Sequence, residues 1–339
     1  MAGPKVFVTR ALPENSLRLI QDFCSTEVWL SETPPSRAEM LTRTRGVEGL
    51  LSLLTDAVDE ALIAAAPSLK VISNCAVGVD NVDLAAATRR KIPVGNTPDV
   101  LTNATADMAF ALLLAAARRL VEGVAYVRAG KWKTWNFQLL LGADLEGATL
   151  GIIGFGRIGK AVAKRAKGFG LKVLFCDPSA QPEWGAMPAD LETLLRGADF
   201  VSLHVPLTSD TAHLINAEAL GKMKSSAILV NTSRGPIIDH QALYEALRAG
   251  RIGAAALDVT EPEPIGVDSP LLQLDNCIVL PHLGSASTRT REQMAMLAAK
   301  NLLAGLRGEA LPHCVNPEVY DRGGEQMPAA SSRPGQAGA

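Results

Sequence analysis

Six residues, Gly154-Phe155-Gly156-Arg157-Ile158-Gly159, constrain the fold of this chain more than any others. An apolar run from Ala148 to Ile153 precedes them, and an amphipathic run from Arg157 to Phe169 follows. A second apolar run, Leu171 to Cys176, ends at Asp177. Strand, glycine turn, helix, strand and terminal carboxylate, in that order, predict a βαβ unit that holds a dinucleotide. Gly154 permits the tight turn, Gly156 the approach of a pyrophosphate, and Gly159 the packing of helix on strand. The helix start offers unpaired N–H groups and a partial positive charge to the phosphates. Asp177 stands where a carboxylate accepts hydrogen bonds from ribose hydroxyls. That carboxylate would repel a 2′-phosphate, so NAD(H) is expected over NADP(H), with NADP(H) left open. No cation immediately follows Asp177; the next residues are Pro178, Ser179, Ala180 and Gln181.

Strand-like and helix-like runs alternate along most of the chain. Residues 1 to about 100 carry apolar runs at Lys5–Thr9, Glu27–Leu30, Gly49–Leu54, Leu69–Asn74 and Pro93–Asn96. Helical patterns lie between them, near Pro13–Phe23, Ser36–Thr44, Asp59–Ala65 and Asp83–Arg90. Such alternation predicts a parallel sheet covered on both faces. A second series runs through Ala148–Ile153, Lys172–Cys176, Phe200–Val205, Ala227–Ser233, Ala254–Val259 and Cys277–His282. Its six strands match a doubly wound sheet. The expected class is α/β with two domains, a Rossmann domain over 101–286 inserted in a smaller flavodoxin-like substrate domain. The latter takes 1–100 with 287–320, and the Pro-, Gly-, Ser- and Ala-rich stretch 321–339 is expected to be a disordered tail. A helix over Thr102 to Val121, capped by Thr102 or Asn103, is apolar on most of its circumference. It must be buried in this chain or against a partner, and a homodimer with this helix near the interface is expected.

Composition narrows the function classes. Of 339 residues, 47% are hydrophobic and 20% charged, which is enough for large cores. A net charge of −2 gives no electrostatic case for nucleic acid or an anionic membrane. The five cysteines, Cys24, Cys75, Cys176, Cys277 and Cys314, show no CxxC pair, which fits reduced thiols and a cytoplasmic protein. No signal peptide is read at the N-terminus, and the apolar stretch Met108 to Ala117 is too short to span a bilayer. No Cys/His spacing suggests a metal.

Ligands of open α/β sheets bind beyond the carboxyl ends of the strands. There the sequence places Arg234 after Asn231-Thr232-Ser233, Asp258 and Glu263 after Ala256-Leu257, and His282 after Pro281. Each alone has an ordinary reading, as a surface cation, a solvated acid or a strand-end histidine. Their convergence on one sheet edge beside a dinucleotide points to chemistry.

These segments resemble the D-isomer-specific 2-hydroxyacid dehydrogenases over nearly the whole chain. The resemblance rests on Ala76-Val77-Gly78-Val79-Asp80-Asn81, the glycine turn, and His204-Val205-Pro206-Leu207-Thr208. It continues through Asn231-Thr232-Ser233-Arg234-Gly235, Ala256-Leu257-Asp258-Val259, Glu261-Pro262-Glu263-Pro264 and Pro281-His282-Leu283-Gly284-Ser285. Within the family the glyoxylate/hydroxypyruvate reductases are most similar, through Asn96–Thr102, Lys131-Trp132-Lys133-Thr134-Trp135 and Asn301–Glu309. The resemblance implies reduction of a small 2-keto acid. Arg234 would grip its carboxylate and His282 would be the general acid, oriented and favoured in its charged form by Glu263. Leu53, Val77, Gly78 and Ser285 would complete substrate binding. Cofactor contacts are implied for Gly154, Phe155, Gly156, Arg157, Ile158, Gly159, Asp177, Val205, Pro206, Thr211, Thr232, Ser233, Arg234, Asp258, His282 and Gly284. Trp135 is a candidate to reach a neighbouring subunit. Other readings on the same scaffold are phosphoglycerate dehydrogenase, another D-2-hydroxyacid dehydrogenase, and an NAD-sensing corepressor-like binding protein. His204, His213, His240 and His313 receive no role.

Overall fold

The computed structural model describes residues 3–321. The chain divides into two compact units: the described residues up to Pro98 with those from Glu292 onward, and Asp99–Arg291. The first contains β1 (Lys5–Val8), α1 (Glu14–Gln21), β2 (Ser25–Val28), α2 (Arg37–Thr44), β3 (Gly49–Ser52), α3 (Glu60–Ala65), β4 (Val71–Asn74), α4 (Leu84–Arg89) and β5 (Val94–Gly95). The second contains α5 (Thr102–Ala117), α6 (Leu120–Arg128), β6 (Thr149–Ile153), α7 (Arg157–Gly168), β7 (Lys172–Cys176), β8 (Met187–Pro188), α8 (Leu191–Gly197) and β9 (Phe200–Leu203). It continues with α9 (Ala217–Lys222), β10 (Ile228–Asn231), α10 (His240–Arg248), β11 (Ala254–Leu257) and β12 (Cys277–Val279). The last helix, α11 (Thr288–Leu306), carries the chain back into the first unit.

In the first unit the strands are parallel in the order β2-β1-β3-β4-β5. Side chains alternate across a strand, so β1 feeds two cores. Phe7 packs with Leu50, Ile72 and Leu62 on one face, and Val6 and Val8 pack with Leu51, Val71, Ala298 and Leu302 of α11 on the other. Burial on both faces explains why β3 and β4 read as near-continuous apolar runs. The helices start where side chains replace missing backbone acceptors. Ser36 and Glu39 form a capping box, and Asp59 and Asp83 cap α3 and α4.

The second sheet is also parallel, in the order β12-β11-β10-β9-β6-β7-β8. The sequence predicts six strands and the structure has seven. The extra one, β8, is an exposed two-residue edge strand with no apolar alternation to reveal it. Strand order reverses at β6, where β7 lies on one side and β9 on the other, so the switch point of this sheet falls at the glycine turn.

The expected helix from Thr102 to Val121 is two helices. The chain breaks at Arg119, which has a left-handed φ of 51°, and α6 follows. Leu101 occupies the N-cap of α5 without a side-chain bond, so neither Thr102 nor Asn103 caps it. Ala106, Phe110 and Leu113 of α5 are buried within their own unit, beside Val162, Leu150 and Val230. Asp107 on α5 pairs with Arg165 of α7, Nε to Oδ1 2.7 Å. The exposed apolar residues lie further along, on α6. Among the described residues no helix is long and apolar enough to cross a membrane. Beyond Asp321 the expected tail lies outside the described residues.

Candidate active site

The glycine turn fits a pyrophosphate by its geometry. Gly154 has φ +89°, and a Cβ there would meet the carbonyl carbon of His204 at 2.6 Å. A Cβ on Gly159 would meet the Gly154 oxygen at 2.2 Å. Gly156 differs: a Cβ there would meet nothing within 4 Å. It is also the N-cap of α7, with no side chain covering the helix start. Open space over unpaired helical N–H groups suits a phosphate. Arg157, at the rim, pairs with Asp99, Nε to Oδ1 2.7 Å, and Ile158 packs inward on the helix core.

Asp177 follows β7 and closes the same turn. Its Oδ2 accepts the Phe155 N–H at 2.8 Å, and Oδ1 accepts the Ser179 N–H and hydroxyl at 3.0 and 2.9 Å. Burial pushes the Asp177 carboxyl up, but these hydrogen bonds outweigh it and hold it below its ordinary value. The ionised group keeps lone pairs for ribose hydroxyls. Across the turn, Val205 lies against Gly154, and the Thr211 hydroxyl donates to the Pro206 carbonyl at 2.6 Å. The buried Thr232 hydroxyl has no partner among the described residues, a polar group still open to a ligand. These residues fit a dinucleotide.

The candidate catalytic side chains stand on loops that follow β10 and β11 and on the turn after β12. Asn231, fully buried at the end of β10, organises the first. Its Oδ1 accepts from the Ser233 N–H and hydroxyl, at 3.0 and 2.8 Å, and its Nδ2 donates to the Arg234 carbonyl at 2.8 Å. Arg234 is half-buried and donates from one guanidinium nitrogen to the Ser233 carbonyl at 2.8 Å. Asp258 organises the His282 turn. Its two oxygens accept the Leu283 and Gly284 N–H groups at 2.7 and 2.6 Å, and its carbonyl accepts the His282 N–H at 2.9 Å. Burial raises the Asp258 carboxyl above its ordinary range despite these bonds. So the carboxylate is engaged by the turn itself.

That turn gives His282 a left-handed φ of 54° and sets its Nδ1 at 2.6 Å from Glu263 Oε1. The other Glu263 oxygen faces the Thr260 N–H at 3.4 Å. Burial acts to raise the Glu263 carboxyl, but the bond and charge of His282, the Thr260 N–H and the charge of Arg234 together bring it below its ordinary value. An ionised carboxylate on Nδ1 fixes the ring and leaves Nε2 as the nitrogen not engaged by Glu263. Ser285 is half-buried on the same turn, where its carbonyl accepts from Arg291 Nε at 3.3 Å. His204 is different in kind. Its Nε2 meets the Ser202 hydroxyl at 2.8 Å, and burial pushes its imidazole down to about 3, so it stays neutral.

In the first unit, Leu53 directly after β3 and Val77 and Gly78 in the loop after β4 are half-buried. Their carbonyls are tied inward, to Asn81 at 3.0 Å, Asn96 at 2.8 Å and Asn74 at 3.0 Å respectively. The Val77 and Gly78 N–H groups have no acceptor among the described residues. Asn74, Asn81 and Asn231 are positioning residues that sequence reasoning passed over. For Asn74 and Asn231 a polar side chain closing an apolar strand was the available signal; Asn81, in the loop after β4, carries none. Trp135 is exposed and meets Phe137 edge to face, with ring centres 4.4 Å apart. Among the described residues no cluster of three or more His, Cys, Asp or Glu could hold a metal.

Residues 110–284 match the family model described as D-isomer specific 2-hydroxyacid dehydrogenase, NAD binding domain. A glyoxylate reductase from Korarchaeum cryptofilum is 52% identical over 321 residues, 93% of this chain and 97% of that protein. A solved Thermus thermophilus protein is 50% identical with a TM-score of 0.88, covering 92% of this chain and 99% of that one. The NADPH-dependent glyoxylate/hydroxypyruvate reductase of Sinorhizobium meliloti, solved with NADP and malonate, is 32% identical with a TM-score of 0.85, covering 95% and 99%. The chain belongs to the D-isomer specific 2-hydroxyacid dehydrogenases, nicotinamide-dependent oxidoreductases that act on a CH–OH group.

Proposed function

We propose that this protein reduces glyoxylate and hydroxypyruvate to the corresponding hydroxy acids, the latter to its D-isomer, with NADH as the favoured cofactor. The observation that carries the reading is the His282–Glu263 pair at 2.6 Å, set beside Arg234 at the ends of adjoining strands. The bound nicotinamide supplies the hydride. Arg234 offers a planar fork of donors to the substrate carboxylate and ketone oxygens. His282, charged and held by Glu263, gives its Nε2 proton to the oxygen on which negative charge develops. In the reverse direction neutral His282 is the base. Val77 and Gly78 offer two N–H donors suited to a carboxylate oxygen, and Ser285 a hydroxyl. Asp258 acts through the turn it pins. The choice of NADH rests on Asp177, whose ionised carboxylate opposes a 2′-phosphate. Asp177→Ala is expected to raise NADPH use relative to NADH, and an unchanged ratio would remove that assignment.

The same reading makes the protein a cytoplasmic homodimer. Leu120, Val121, Val124 and Val127 of α6 are each at least 50% exposed, and Trp132 and Phe137 lie exposed just after them. This many exposed apolar side chains on one helix and the segment after it are suited to a second copy. Light scattering at micromolar concentration should report a dimer; a monomer would sink the assignment. Five cysteines without a disulfide support a reducing compartment.

The deciding experiment is oxidation of NADH and NADPH with glyoxylate, hydroxypyruvate, pyruvate and phosphohydroxypyruvate in parallel, with Arg234→Ala as control. Fast NADH-linked turnover of the first two, lost in the control, is expected. Preference for phosphohydroxypyruvate would reassign the substrate. NADH binding without turnover of any of them would replace the enzyme with a sensing protein.

A further inference from the structure

We propose that His240 and His213, acting through Glu261, form a clamp that positions the Glu263–His282 pair relative to the Arg234 turn. Neither histidine touches reacting atoms in the proposed chemistry, so both are positioning residues. The inference rests on the proposed reading of Arg234, Glu263 and His282.

Glu261 precedes Glu263 by two residues and is held twice. Its N–H donates to His240 Nδ1 at 3.3 Å, and its Oε2 lies 3.1 Å from His213 Nε2. His213 is anchored in turn: its N–H donates to the Pro236 carbonyl at 2.8 Å, two residues beyond Arg234. Between these anchors the backbones are already in contact. A Cβ on Gly235 would lie 2.0 Å from the Thr260 oxygen, so no side chain fits there. The Thr260 hydroxyl closes the segment onto the Pro262 carbonyl at 2.8 Å. One network therefore joins the strand end that carries Arg234 to the loop that carries Glu263.

The state of His240 follows from its partner. A ring nitrogen that accepts an N–H carries no proton, so the proton of neutral His240 is on Nε2. That Nε2 is buried and has no partner among the described residues. Unsatisfied buried donors are uncommon in folded proteins. Here the ring keeps its place through the bond at Nδ1, and that bond acts on Glu261. A proton on Nδ1 would set two N–H groups against each other and release the segment. Burial, the largest influence on this imidazole, keeps it neutral.

Two substitutions in the full chain test the clamp. His240→Leu keeps the bulk and removes the acceptor. His240→Asn puts an amide oxygen near the place of Nδ1. In His240→Leu, kcat should fall about tenfold, less than the ~hundredfold that a 1 Å misplacement can cost. KM for NADH should hold within about twofold, and His240→Asn should recover most of kcat. Nitrogen-15 spectra of ring-labelled histidine in the cofactor-free wild type should show His240 as the Nε2–H tautomer. The clamp is overturned by wild-type kcat in His240→Leu, by equal loss in both variants, or by an Nδ1–H tautomer. If His240→Leu does not fold, the tautomer and His240→Asn decide. If the wild type turns over no 2-keto acid, the functional reading fails, and the tautomer alone judges the contact.

Discussion

The two parallel sheets end their strands in different chemical currencies. In the first unit neutral groups join the strand ends around a buried carboxylate, Asp56, which accepts the Thr9 hydroxyl and the Leu53 N–H. Ser52 donates to Asn74 at 3.0 Å, Asn74 meets Asn81 at 3.0 Å, and Asn81 reaches the carbonyls of Leu53 and Asp56. In the second unit the corresponding places hold Asp177, Asp258, Glu263 and His282, each ionisable and each fixed by directed bonds. Amide networks hold a shape at any pH. Carboxylates held by N–H groups and an imidazole also set charge and proton position, at the cost of desolvation. The architecture of a parallel sheet thus says little about which sheet does chemistry; the residues just past its strands say more.

The sharpest way to break this comparison is His282→Ala. We expect kcat/KM for glyoxylate to fall about a thousandfold, the scale of losing a general acid, with nucleotide binding retained. Gly159→Ala comes next. Its methyl group would meet backbone, not a yielding side chain, so the fold should lose about 1–3 kcal/mol in urea unfolding and NADH should bind more weakly. Asn81→Ala is the matching test in the neutral network. Removing its part-buried bonds should cost about 1–2 kcal/mol and raise KM for the keto acid more than it lowers kcat. A larger effect on kcat than on KM would place chemistry in the first unit and end the contrast.

Much of this was legible in the sequence for identifiable reasons. Gly154, Gly156, Gly159 and Asp177 act within one short βαβ unit, where spacing nearly determines contact. Arg234, Glu263 and His282 follow strands whose apolar runs are unmistakable, so topology brings them to one edge. The rest depended on contacts between distant segments. The end of α5 at Arg119 is written in no proline or glycine; the chain turns there through an unusual arginine conformation. The two-residue β8 carries no period to detect. The hold of Asp258 on the His282 turn has no local signal, because the amides its oxygens accept lie 25 and 26 positions away. His213 and His240 have no local signal, because what links them is Glu261, 48 and 21 positions away.

The smallest expected effect tests whether charge in the second unit also carries stability away from the site. Asp199 precedes β9, at the end of the sheet opposite the loops that follow the strands. Its Oδ2 accepts the Thr149 N–H at 2.8 Å, and its Oδ1 receives Lys224 at 2.7 Å. Burial acts to raise this carboxyl, but the Lys224 bond and the Thr149 N–H outweigh it, so the folded value lies below the ordinary 3.8. A carboxylate depressed on folding adds stability above its unfolded value, and loses it as pH falls through the folded one. Asp199→Asn should therefore lower the unfolding midpoint slightly at pH 7. The gap to wild type should close as pH drops below about 4. The partly exposed pair is screened by salt, so the difference at pH 7 should shrink at high ionic strength. A gap that persists unchanged into acid would mean that Asp199 acts through the shape of its amide-binding group and not its charge. The second sheet would then resemble the first at this edge, and the contrast would be confined to the loops that carry the chemistry.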